Sequence, residues 1–113
     1  MSLKDCQKDV DEWVRQFKDP YWPPLSILAH ITEEVGELAT ELNDRYGGRV
    51  KKPSDDTKDI GAEIGDIMCA LFCLANSQNI DLDEVWKQVM NKYETRDKDR
   101  YERKEDKSNN QSQ

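Results

Sequence analysis

Apolar residues recur at alternating intervals of three and four along most of this chain, and that period belongs to the amphipathic α-helix. Leu3, Cys6, Val10, Trp13 and Phe17 make the first stripe, which has to stop before Pro20. Asp19 to Pro24 is a rigid connector that carries Tyr21 and Trp22, and its prolines lead into the first turn of a second helix. Leu25, Leu28, Ile31, Val35, Leu38 and Leu42 continue that helix to Gly47-Gly48, a strong stop. A third helix is expected from near Lys58, with Asp55, Asp56 or Thr57 as its cap, and it ends over Asn76 to Asn79. Asp81 with Glu84 resembles a capping box for a fourth, in which Leu82, Val85, Val89 and Tyr93 face one way.

No stretch of useful length alternates as a strand would, so the expected fold class is all-α. The reading is a four-helix, bundle-like single domain over residues 1–100, with a polar, disordered tail over 101–113. Helix three is apolar without interruption from Ile67 to Ala75, and a helix apolar on all sides is buried on all sides. With 35% hydrophobic and 36% charged residues, one chain has a thin core for its surface. A homo-oligomer built on helix three is therefore expected. Trp13 and Trp86 sit on the stripes and are expected to pack in the core.

The formal charge of −7 argues against a nucleic-acid polymer or an anionic membrane as partner, since both demand a basic surface. Cys6, Cys69 and Cys73 are odd in number and include no CxxC pair. With no signal peptide and no apolar span long enough for a membrane, a cytoplasmic location is expected. Cys69 and Cys73, four apart in an apolar run, read as small buried hydrophobes.

The chemistry lies in two short segments. Helix two contains Glu33-Glu34-Val35-Gly36-Glu37 and helix three contains Glu63-Ile64-Gly65-Asp66. In each, an acid, a branched apolar residue, a glycine and a second acid follow one another, which sets two carboxylates at i,i+3 on one helix face. A single Glu-x-x-Glu is most often a solvated face; the mirrored pair is what singles these out. Glycine inside a helix costs roughly 1 kcal/mol relative to alanine. The expected reason for Gly36 and Gly65 is close approach of the two backbones, which would gather four carboxylates around cations. An oxygen-only set favours a hard cation, Mg²⁺ or Mn²⁺, over zinc or iron.

At these residues the sequence resembles the MazG-like nucleotide pyrophosphohydrolases, whose hallmark is Glu-Glu-x-x-Glu followed some two dozen residues later by Glu-x-x-Asp. The resemblance runs from helix one to about Arg100 and implies Mg²⁺-dependent hydrolysis of (deoxy)nucleoside triphosphates to monophosphate and pyrophosphate. It assigns Glu34, Glu37, Glu63 and Asp66 to the metal and makes Glu33 the motif's first acid. It also implies a Lys-aromatic-x-x-Arg signature on the last helix, which reads here as Lys92-Tyr93-Glu94-Thr95-Arg96. Lys92, Arg96 and Arg100, four apart, are then candidates for the substrate phosphates, or else a solvated basic face.

Some members carry a lysine four residues before Glu-x-x-Asp, where this chain has Asp59. Lys58, Lys51 and Lys52 are the alternatives for that contact. Trp22 and His30 are candidates for the base, His30 standing one turn before Glu34; Trp22 and Tyr21 are either rings that stack on the base or a staple between helices one and two. Two rival readings remain open at this point: a phosphoribosyl-ATP-type or other nucleotide hydrolase of the same superfamily, and a non-catalytic helical oligomerisation module.

Overall fold

The computed structural model describes residues 1–48 and 59–104. Within them the chain is all-α: α1 is Leu3–Val14, α2 Pro24–Tyr46, α3 Ile60–Ser77 and α4 Leu82–Arg96. Residues Met1–Leu82 form one compact unit and those from Asp83 onward a second.

Local chemistry sets the helix ends. Ser2 opens α1 with a capping box: its hydroxyl accepts from the Asp5 amide at 3.0 Å, and its own amide donates to the Asp5 carboxylate at 2.9 Å. Those bonds to Ser2 hold the Asp5 carboxyl below the usual carboxylate range. Pro24 takes the first helical position of α2, where a missing N–H costs nothing, and Gly47 ends that helix. The cap of α3 is Asp59, which accepts from the Gly61 amide at 2.9 Å. That replaces the expected Asp55, Asp56 or Thr57, which lie outside the described residues. Phe17 also departs from expectation: α1 ends at Val14, before Phe17, whose ring meets Trp13 edge-to-face at 5.4 Å.

In the first unit α3 packs on both α2 and α1. Ile27, Ala70, Phe72 and Ala75 are its buried apolar residues. At the end of this core a polar hub replaces packing. The buried Gln7 amide donates to Asn76 Oδ1 at 3.0 Å and to the Ile80 carbonyl at 2.7 Å, and its oxygen accepts from the Leu82 amide at 3.0 Å. Asn76 returns a bond to the Gln7 carbonyl at 2.9 Å. Buried amides satisfied this fully fix the register of the elements they join.

The single chain buries α3 on part of its circumference only. Ile64, Met68 and Leu71 are 46%, 44% and 45% exposed, so all-round burial is not achieved within one chain. Trp13 and Trp86 are likewise exposed and do not enter its core. Cys69 is exposed, and Cys6 and Cys73 are half-buried, which corrects the reading of Cys69 and Cys73 as core hydrophobes. Helix α3 does meet the length and composition of a membrane-crossing helix, contrary to expectation. A core helix passes the same test, and this one carries the fully buried Glu63.

The second unit is chiefly α4 and the turn after it. The helix ends at Arg96, so Arg100 does not continue the Lys92–Arg96 face but lies in the turn. Asp97, whose side chain is 8% exposed, pairs with both guanidinium groups, Arg96 Nε at 3.3 Å and Arg100 at 3.5 Å. That pairing raises the Arg96 pKa further.

Candidate active site

Glu34 and Glu37 stand one turn apart on α2, and Glu63 lies in the first turn of α3 where that helix packs on α2. One carboxylate oxygen from each lies within 4.8 Å of the other two. The three differ in their surroundings: Glu63 is buried, the Glu34 side chain is 14% exposed, and Glu37 is open to solvent. The set is therefore a depression with a buried floor and a wet edge.

Charge is crowded here. Burial, then the neighbouring charges of Glu37 and Asp66, push the Glu34 carboxyl above the usual carboxylate range; His30 opposes the shift and Glu63 adds to it. His30 Nε2 lies 3.6 Å from Glu34 Oε1. The other oxygen, Oε2, is buried and has no hydrogen-bond partner among the described residues. A buried carboxylate oxygen left in that state costs free energy that a ligand able to reach it recovers.

Asp66, exposed on α3, stands outside the group of three but close enough to act on Glu34. Glu33 is exposed on α2 and also stands outside it. The glycines do not do what their positions suggested. A methyl group added at Gly36 or Gly65 would meet nothing within 4 Å, so neither marks a close approach between α2 and α3. The acids meet because their side chains reach across an ordinary helix contact.

Beside the acids opens a cavity of about 460 Å³ whose wall includes Glu34, Asp66, Phe17, Tyr21, Trp22 and His30. Trp22 meets the His30 ring edge-to-face at 5.6 Å. The two candidate base residues and two of the candidate metal ligands thus line one space. Tyr21 serves as a staple: its hydroxyl donates to Asp11 of α1 at 2.5 Å. Cys69 and Cys73 also line the cavity, and burial raises the Cys73 thiol pKa. Lys92, Arg96 and Arg100 belong to the second unit and are all exposed. Lys92 lies over the ring of Tyr93 at 5.3 Å. Lys58, Lys51 and Lys52 lie outside the described residues.

Sequence reasoning passed over the cavity itself, together with Gln7, Asp11 and Asn76. Only the i,i+4 pair Asp11 and Arg15 left a local trace. Glu41, buried one turn beyond Glu37 with its carboxylate 4.0 Å from Arg45, was also missed.

The chain is thus all-α, with acids of two packed helices converging beside an aromatic-lined cavity. Residues 23–101 match the MazG nucleotide pyrophosphohydrolase domain. The uncharacterized protein YpjD of Bacillus subtilis strain 168 is 50% identical over 105 residues, covering 93% of this chain and 95% of that relative. The crystal structure of B. subtilis YpjD superposes with a TM-score of 0.75 at 47% identity, over 84% of this chain and 97% of that one. The Bacillus-conserved MazG protein, a nucleotide pyrophosphohydrolase, does so with a TM-score of 0.73 at 45% identity, over 88% and 96%. The chain belongs to the MazG nucleotide pyrophosphohydrolase family.

Proposed function

We propose that this protein is a cytoplasmic enzyme that hydrolyses (deoxy)nucleoside triphosphates to the monophosphate and pyrophosphate with the help of Mg²⁺, Mn²⁺ being an alternative. The observation that carries the reading is the convergence of Glu34, Glu37 and Glu63 within 4.8 Å. Three carboxylates and no thiolate or imidazole in the set make a donor group for a hard divalent cation. The orphaned Oε2 of Glu34 fits the same ion. Bound there, Mg²⁺ supplies polarisation of the phosphate chain.

The remaining work falls to the chain's own residues. Glu34, Glu37 and Glu63 would hold the ion, and Asp66 would add a fourth carboxylate from the cavity wall. The attacking water would be metal-bound or held by a carboxylate such as Glu37 or Glu63, which takes its proton. Attack at the α-phosphorus breaks its bond to the bridging oxygen and releases pyrophosphate; the family's Lys-aromatic-x-x-Arg signature supports Lys92 and Arg96, with Arg100 beyond them, as the residues that neutralise its charge. Glu33, the motif's first acid, is proposed to act electrostatically from outside the ligand set. Trp22 and His30 take the base in the cavity, whose volume of about 460 Å³ exceeds what a nucleobase needs. No side chain is needed as a covalent nucleophile.

The partly exposed face of α3 supports assembly. Ile64, Met68 and Leu71, spaced four and three apart, offer the apolar strip for a homodimer or a dimer of dimers. Incubation with Mg²⁺ and a panel of nucleoside triphosphates tests the reaction. Pyrophosphate as product supports it; orthophosphate alone, or no turnover by folded protein, contradicts it.

A further inference from the structure

Trp22 is 56% exposed and stands in the connector between α1 and α2, so neither burial nor helix geometry holds its ring beside the cavity. Its neighbour is held firmly. The Tyr21 hydroxyl donates to Asp11 Oδ1 at 2.5 Å, and both Asp11 oxygens accept from Arg15 Nε at 3.0 Å. The Arg15 guanidinium lies over the Tyr21 ring, 5.7 Å from its centre. Asn76 of α3 is locked to the buried Gln7 of α1, one helical turn before Asp11. Asp11 of α1 and Arg15, its C-cap, therefore hold the connector one residue before Trp22, and α1 is itself fixed to α3 through Gln7.

We propose that Tyr21 is a positioning residue for nucleotide recognition: tied to Asp11 and packed under Arg15, it holds the connector so that Trp22 is already placed when the base enters. The inference rests on the reading that the cavity takes the base. Its physical ground is preorganisation. A ring ordered before binding spares the complex the entropy of ordering it then. Pro20 and Pro23 on either side limit the connector's φ angles but leave its rigid-body swing free, and the Tyr21 hydroxyl bond is what stops that swing.

Initial-rate kinetics on Trp22→Ala, Tyr21→Phe and Asp11→Asn test this, with inorganic tripolyphosphate as a competitor that carries the phosphates and lacks the base. Assays run below each variant's melting transition. Tyr21→Phe is expected to raise KM by about tenfold, equivalent to about 1.4 kcal/mol, with kcat close to wild type and the tripolyphosphate inhibition constant unmoved. Asp11→Asn keeps an oxygen for the hydroxyl and is expected to raise KM less. If Trp22→Ala raises KM while Tyr21→Phe leaves it at the wild-type value, the positioning role is overturned and the base reading stands. If Trp22→Ala leaves KM unchanged, the base reading falls and takes this inference with it. A tripolyphosphate constant that rises in step with KM in Tyr21→Phe means a general loosening of the fold and overturns the inference as well.

Discussion

The Tyr21 hydroxyl donates to the Asp11 carboxylate at 2.5 Å, tying the connector to α1. Burial, and then this bond, push the Tyr21 pKa up to about 12 from an ordinary value of 10.0, and the same bond is the largest cause of the lowered Asp11 pKa. The unfolded chain gives up the phenolic proton first, so between those values the folded state binds more protons and stability falls as pH rises. The contribution is fully present below the ordinary value. Of the four tyrosines, one is expected to ionise late in an ultraviolet absorbance titration of the folded protein. In Tyr21→Phe the late component should vanish; its persistence would show that the bond is not formed in solution.

Gly36 and Gly65 have open space where a side chain would stand. Alanine at either position is therefore expected to stabilise the protein by about 1 kcal/mol, the helix-propensity difference. Denaturant unfolding measures it. Destabilisation by alanine would show that another chain's backbone lies against that glycine.

The exposed strip on α3 leads to an assembly prediction. Met68→Glu combined with Leu71→Glu sets two charges on a surface 44% and 45% exposed in the single chain, so folding should survive and association should not. Light scattering is expected to find an oligomer for the wild type and a smaller species for the variant. A wild-type monomer at micromolar concentration would contradict the proposal.

In the second unit, Lys92→Ala and Arg96→Ala are each expected to lower kcat/KM by about tenfold or more while leaving the circular dichroism unchanged, because a charge-assisted phosphate contact is lost from an exposed surface. Wild-type kcat/KM in both would return these residues to the role of a solvated face, Arg96 serving only Asp97.

The four helices were legible because their period is local: each stripe, and boundaries such as Pro24 at the start of α2 and Gly47 at its end, can be read without knowing what lies opposite. The pairing of Glu34 with Glu37 was legible for the same reason. What escaped was tertiary. The cavity joins Phe17, Tyr21 and Trp22 of an aperiodic stretch to His30 of α2 and Cys69 of α3, and no spacing announces that. Gln7 looked like any surface amide of an amphipathic helix, yet it is buried because Asn76, Ile80 and Leu82 satisfy it. The glycines misled for the opposite reason. A true regularity in the sequence was given a packing cause, and the space around both positions is open.

The central claim is that Glu34 and its neighbours hold Mg²⁺. Two carboxylates about 4 Å apart repel by roughly 4 kcal/mol at an effective dielectric near 20, before water and protonation relieve part of it. The raised Glu34 pKa is the local sign of that repulsion and of burial. Thermal melting of wild type and Glu34→Gln, with and without Mg²⁺ and beside a pyrophosphate-release assay, tests the claim most directly. The metal-free variant should melt at or above the wild-type temperature, lose the stabilisation by Mg²⁺ that binding to the folded state supplies, and release no pyrophosphate. A variant that keeps both the wild-type Mg²⁺ shift in Tm and full activity would contradict the account.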